Sequence, residues 1–231
     1  MIEKDTLIRW ALAAQDARVW RRPDAVVVAC PDLSHWDRLV MGGDPAALAE
    51  LVGEVLPEVG GNFRPFGDEE LVADVVGRVP GLAVSARFAW METLEPVGAG
   101  VRGGVSAEWL GEDSWPEVSA LLEESFPDSY AKPGGAGVRR WAGIRDEGGR
   151  LVAVLAEAWS TEEIGFLAGV TTRPEVRGRG LGAELCAFAT DELLGSRERV
   201  ALIVDYWNVA AVATYRKLGF STRPVAAARQ R

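Results

Sequence analysis

The first 95 residues alternate between helix-like and strand-like patterns of apolar positions. Apolar residues recur at helical spacing over residues 3–20, which predicts an amphipathic helix. The run AVVVAC is typical of a buried strand, and Asp44-Pro45 begins a helix that should end before Pro57. The predicted elements are a helix at 3–20, a strand at 25–30, a loop at 31–37, helices at 45–56 and 68–78, and a strand at 82–93.

The pattern breaks at residues 95–104 (EPVGAGVRGG), which hold four glycines and a proline without a hydrophobic period. We therefore predict an N-terminal α/β domain over 1–95, a linker over 96–104 and a second domain over 105–231. The second domain should contain strands at 106–110, 139–146, 150–159, 164–171 and 200–205, and helices at 113–126, 180–194 and 209–218.

The segment at 177–183 (RGRGLGA) lies between a predicted strand and a predicted helix. Glycines allow a tight turn, and the first turn of a helix presents unpaired N–H groups and partial positive charge, so a pyrophosphate is a natural guest. The spacing lacks the last glycine of a dinucleotide-binding fingerprint and the Lys-Ser/Thr of a Walker loop. A glycine-rich turn that binds nothing also fits the segment when it is taken alone.

A second motif supplies context, since YWNVAAVATYRKLGF follows at 206–220. Together the two motifs resemble the GNAT superfamily of N-acyltransferases, over about residues 105–220. The stretch at 138–160 looks like the glycine-N-acyltransferase-like branch. The matching positions are Arg177, Gly180 and Gly182 in the first motif, and Asn208, Ala211, Tyr215, Leu218, Gly219 and Phe220 in the second.

The resemblance implies an α+β (α/β) fold with a mixed central sheet flanked by helices. Two of its strands would splay apart to admit acyl-CoA, and no metal would take part. Backbone groups at Gly169, Val170 and Thr171 would bind the pantetheine and polarise the thioester carbonyl. The pyrophosphate would be held at Arg177, Gly178, Arg179, Gly180, Leu181, Gly182 and Ala183.

Two further residues would face the reacting group. Asn208 would lie near pantetheine or acceptor, and an N-cap role suits its position equally well. Tyr215 would protonate the departing CoA thiolate, whereas packing against Leu218 and Phe220 is the alternative. For the base, Glu157, Glu162, Glu163 and Asp205 are candidates, each expected to be a solvated carboxylate, and a water chain is the alternative. Cys186 lacks a histidine to activate it as a nucleophile.

Composition narrows the setting. The net charge of -9 argues against nucleic acid and anionic membranes as partners. No apolar run reaches membrane-spanning length, and two separated cysteines fit a reducing cytoplasm. The single histidine, His35, is interpreted as structural or surface.

The expected reaction is acyl transfer, acetyl first, from acyl-CoA to a small primary amine or amino acid in a ternary complex. A non-catalytic acyl-CoA-binding module and a protein N-terminal or lysine acetyltransferase are the alternatives. The N-terminal region faintly resembles the front half of the same fold and lacks a glycine-rich loop. Residues 221–231 supply only one closing strand, so either the N-terminal domain or a second copy in a homodimer would complete the sheet.

Overall fold

The computed structural model describes residues 2–98 and 106–231, which form two compact units. The first comprises Met1–Trp90, Val204–Trp207 and Arg223–Arg231, and the second comprises Met91–Ile203 and Asn208–Thr222. The C-terminal strand thus belongs to the first unit. Most of the predicted linker, residues 99–104, lies outside the described residues.

In the first unit the strands lie in the order β1-β2-β3-β4-β11-β5. β3 and β4 are parallel, whereas β1–β2, β2–β3 and β4–β11 are antiparallel. Asp44 caps α2 by accepting from the N–H groups of Ala46 and Ala47, as expected of an N-cap. The elements are α1 (Thr6–Leu12), β1 (Arg18–Arg22), β2 (Ala25–Leu33), β3 (Trp36–Gly43), α2 (Pro45–Val59), β4 (Arg64–Asp68), α3 (Glu69–Arg78), β5 (Leu82–Thr93) and β11 (Ser221–Gln230).

The core of this unit explains why β2 is a continuous apolar run. Val27 and Ala29 pack in a cluster with residues of α2 and α3. Alternate residues point to the other face, where the Cys30 thiol donates to the Ala11 carbonyl of α1. Since both faces of β2 are covered, its first six residues are all buried.

Three predictions for this unit are wrong. The helix at 3–20 is only α1, because the chain turns after Leu12 and re-enters as β1. The loop at 31–37 is the tip of a β2–β3 hairpin instead. α2 continues through Pro57, which removes a hydrogen bond only from the carbonyl of Gly53, an exposed residue that water can reach.

In the second unit the strands lie in the order β10-β9-β8-β7-β6. β9 and β10 are parallel and the other pairs are antiparallel. All eight residues of β8 are buried, so both faces of the sheet are covered there; α4 and α5 both contact this strand. The elements are β6 (Ala107–Leu110), α4 (Trp115–Ser125), β7 (Val138–Arg145), β8 (Leu151–Ala158), β9 (Ile164–Thr172), α5 (Leu181–Leu194), β10 (Arg199–Asp205) and α6 (Val209–Lys217).

Candidate functional site

The start of α5 is an open, uncapped helix N-terminus. Gly180 precedes the helix in the left-handed region (φ 82°), and no side chain caps the first turn. A Cβ built on Gly178 or Gly180 would meet no atom within 4 Å. The N–H groups of Leu181, Gly182 and Ala183 therefore begin the helix beside open space, which is the arrangement that binds phosphate groups.

The two arginines of this segment differ in their contacts. The Arg177 guanidinium donates to the carbonyl oxygens of Thr172 and Ser125, each at 3.2 Å. Its side chain thus anchors the loop to β9 and α4, and the phosphate contact expected for Arg177 stays a prediction. Arg179 is exposed and makes no ion pair or hydrogen bond within residues 2–98 and 106–231, so its guanidinium is available to an anion.

β9 carries a bulge at the residues predicted to bind pantetheine. Thr171 pairs with Val154 and Ala168 pairs with Ala156, so an advance of three residues along β9 corresponds to an advance of two residues along β8. The extra residue takes Gly169 to a φ of 59°, and the Thr171 hydroxyl donates to the Gly169 carbonyl at 3.0 Å. A bulge takes backbone groups out of the ladder, and here the Gly169 carbonyl is taken up by Thr171, so any group left for another partner is an N–H group or the Val170 carbonyl.

β9 and β10 are paired over only part of their length. The parallel register runs from Ile164↔Arg199 to Leu167↔Leu202 and ends there. β9 continues to Thr172, so its bulged half extends beyond the paired part. This ladder accords with strands that separate toward the start of α5.

The sequence analysis did not predict the side chains that pack against the bulge at Gly169. A Cβ at position 169 would lie 3.1 Å from the Trp141 ring, 3.2 Å from the Ser129 hydroxyl and 3.3 Å from Ala131. Position 169 therefore has little space for a side chain, and its φ angle also favours glycine. No spacing in the sequence indicates this packing, because Trp141 and residues 129–131 are far from Gly169 along the chain and meet it only in the folded unit.

Asn208 is the N-cap of α6. Its side-chain oxygen accepts from the Ala211 N–H at 3.2 Å. The capping alternative is thus present in the structure, and it leaves the amide nitrogen of the side chain for other contacts.

Tyr215 lies in α6 and is only 7% exposed. Its ring packs on Phe220, with centroids 6.0 Å apart. Burial, with a smaller effect from Cys186, holds the pKa of the phenol well above its ordinary value of 10.0. The phenol therefore keeps its proton across the physiological range, as a proton donor must.

Cys186 lies one turn into α5 and is fully buried. Burial raises the pKa of its thiol to about 12. The nucleophilic form of cysteine is the thiolate, so this side chain is not suited to carry an acyl group.

The expectation that Glu157 is a solvated carboxylate is wrong. Its side chain is 2% exposed and forms ion pairs with Arg140 and Arg197, both at 2.7 Å. Glu162 and Glu163 are exposed in the turn before β9, as predicted. Asp205 is half-buried, and burial raises the pKa of its carboxyl.

Among the described residues, no three or more His, Cys, Asp or Glu side chains lie close enough to hold a metal ion. Within the same residues, no helix has the length and apolar character needed to cross a bilayer.

The glycine-rich motif, the bulge, the open helix start and residues 208–220 of the second motif lie in the second unit, and the family assignment covers the same part of the chain. Residues 107–220 match the family described as Acetyltransferase (GNAT) family. The chain therefore carries an acetyltransferase domain of the GNAT family. The narrower resemblance to the glycine-N-acyltransferase-like branch stays a prediction.

Two curated relatives are mycothiol acetyltransferases. That of Streptomyces coelicolor is 30% identical over 138 residues, which are 55% of this chain and 44% of that protein. That of Streptomyces griseus subsp. griseus is 29% identical over 145 residues, which are 58% of this chain and 47% of that protein. The match thus spans less than half the length of each relative.

Solved structures show the same fold at low sequence identity. A GCN5-related N-acetyltransferase from Kribbella flavida has a TM-score of 0.68 at 20% identity, covering 96% of this chain and 92% of that one. A GNAT-family acetyltransferase from Novosphingobium aromaticivorans has a TM-score of 0.60 at 21% identity, covering 92% and 91%. The predicted α+β fold, with helices flanking a sheet, is confirmed.

Proposed function

We propose that the second unit transfers an acyl group, acetyl first, from acyl-CoA to the primary amine of a small molecule or amino acid. The observation that carries the proposal is the uncapped start of α5 at Gly180, in the same unit as the bulge at Gly169. An anion site and a source of free backbone N–H groups are the two features that an acyl-CoA needs.

Acyl-CoA supplies the activated thioester, and the residues of the chain would position it. The N–H groups of Leu181–Ala183, with Arg179, would hold the pyrophosphate. Backbone groups at Gly169–Thr171 would bind the pantetheine amides, and an N–H freed by the bulge would stabilise negative charge on the thioester oxygen. Loss of one such donor typically lowers kcat by roughly 10²–10³-fold.

Tyr215 would deliver the proton that the leaving thiolate needs. A buried phenol with a raised pKa remains protonated until the C–S bond breaks, and its proton would pass to the sulfur as the thiolate leaves. For removal of the proton from the attacking amine we propose water, because Glu157 is engaged by arginines.

The segment at 129–131 would form part of the acceptor pocket, since Ser129 and Ala131 pack against the bulge at Gly169. Tyr130, between them, is 44% exposed and would contact the acceptor. The relatives from Streptomyces are named for mycothiol, so acceptors of the mycothiol type belong in any substrate panel beside amino acids and simple amines.

The direct test measures free thiol released from acetyl-CoA over a panel of amines. We expect amine-dependent release, with one acetylated product for each thiol. Binding of acetyl-CoA without release above buffer, for every amine, would favour the alternative of a non-catalytic acyl-CoA-binding module. Failure to bind acetyl-CoA would contradict the site itself.

A further inference from the structure

The first unit contains a cavity of about 380 Å³ that is open to solvent, since most of its lining residues are exposed, and this lining shares no residue with the transfer site. Three parts of the unit meet around it: the turn of the β2–β3 hairpin, the segment between α2 and β4, and the end of β11. Its volume lies within the range of small-molecule sites. The lining residues are Asp32, His35, Trp36, Asp37, Gly61, Asn62, Arg64, Arg229 and Gln230.

The hairpin turn that lines this cavity is strained. Leu33 pairs with Trp36, so Ser34 and His35 form a two-residue turn with φ angles of 55° and 71°. Such a turn favours Asn-Gly, because both of its central residues have a positive φ, which is uncommon for residues other than glycine. Asp32, in the adjoining bulge, also has a positive φ of 49°. Strain kept at three neighbouring non-glycine residues is typical of sites where side chains must point to a ligand.

The cavity offers both signs of charge. The Arg64 guanidinium stacks on Trp36, 3.3 Å from the ring centroid, so it presents its edge in a fixed plane. Asp37 accepts from the Asp32 backbone N–H at 3.2 Å. The Arg229 guanidinium and the Asp32 carboxylate make no ion pair or hydrogen bond in the part of the chain that the structure describes. Two arginines thus face two aspartates around one small cavity.

We propose that this cavity binds a free α-amino acid. Arginines hold a carboxylate through paired, charge-assisted hydrogen bonds, and aspartates accept from an ammonium group. The two arginines and two aspartates balance, so a guest with both charges leaves the site neutral, whereas an anion or a cation alone adds one net charge. The Trp36 and His35 rings provide an apolar surface for the side chain of the amino acid.

Isothermal titration calorimetry of the full chain, without acyl-CoA, tests the proposal. The probes are the twenty standard L-amino acids at up to about 10 mM, which fills a site with a Kd of about 1 mM. We expect at least one to bind, with about 10-fold or greater weakening by N-acetylation, by C-terminal amidation and by Arg229→Ala, as for the loss of a charged hydrogen bond. Arg231→Ala is the matched control, because Arg231 is exposed in the same segment and does not line the cavity.

Three results would overturn the proposal: no amino acid binds, Arg229→Ala binds like Arg231→Ala, or acetate alone binds as tightly as the amino acid. Since the titration contains no acyl donor, its outcome is independent of the transfer activity.

His35→Gly separates a ligand role from a structural one. Glycine adopts a φ of 71° without strain, so Tm should stay the same or rise, while the amino acid should bind about 10-fold more weakly. Unchanged affinity at a higher Tm would assign the histidine no part in binding.

Discussion

Tyr215→Phe is the perturbation that best separates chemistry from packing. The ring stays in place beside Phe220, and only the hydroxyl is lost. If Tyr215 protonates the thiolate, turnover should fall by roughly 10²–10³-fold, the usual size of a general-acid contribution. The loss should appear in kcat more than in KM, because the proton is needed in the transition state. Tm and acetyl-CoA affinity should change little.

Tyr215→Ala supplies the contrast. The side chain is 7% exposed, so its removal leaves a cavity that costs about 3–5 kcal/mol, as for other large aromatic residues. For a chain of this size that corresponds to a fall in Tm of roughly 6–20 °C. Both variants should be measured by thiol release under saturating acetyl-CoA and by thermal melting.

The pH profile gives an independent check on the same residue. Burial raises the pKa of the phenol above 10.0, so the acid form persists at every lower pH. The wild-type kcat should therefore show no alkaline decline from this group below pH 10.0. A Phe variant with full turnover would refute the assigned role, whereas an alkaline limb below pH 10.0 that the Phe variant abolishes would contradict the raised pKa of the phenol.

Three further predictions follow from other parts of the second unit. Gly182→Asp should abolish acetyl-CoA binding through charge repulsion, while Tm stays unchanged or rises because an acidic residue suits a helix start. Gly53→Asp, at an exposed helical position, is the control in calorimetry. Retained affinity in Gly182→Asp would show that the pyrophosphate binds elsewhere. Cys186→Ala should keep its activity, and intact mass spectrometry of the wild type with acetyl-CoA should show no acyl adduct. An adduct that is lost in the variant would contradict direct attack of the amine on the thioester. Glu157→Gln should lower the free energy of unfolding by about 2–4 kcal/mol, less than the loss of a fully buried ion pair because Arg140 is 42% exposed. The kcat of the folded protein should not change. A large loss of kcat at unchanged Tm would instead identify Glu157 as the base.

The second unit could be predicted closely from its sequence because local signals agree there. The strand, glycine-rich turn and amphipathic helix around Gly180 each have a strong pattern, and α5 begins one residue from the predicted start. The strands predicted at 139–146 and 150–159 are also present, as the antiparallel pair β7–β8. Where pattern, capping and turn residues point to one structure, sequence reasoning is dependable.

The errors fall where distant residues decide the outcome. The hairpin at Ser34-His35 lacks the Asn-Gly signal of its turn type, so it looked like a loop. Glu157 looked solvated because its partners Arg140 and Arg197 are 17 and 40 residues away. The bulge at Gly169 depends on register between strands, which no single segment encodes. The C-terminal strand pairs with β4, which was not predicted as a strand.

The central claim is acyl transfer from acyl-CoA to an amine by the second unit. Its most direct measurement follows thiol release and product mass together, in the wild type and in Gly182→Asp, with acetyl-CoA and the amine panel. We predict an amine that gains one acetyl group for each thiol released by the wild type, and neither product from the variant. Equal thiol release with and without the protein across the panel, while acetyl-CoA binds, would contradict the claim.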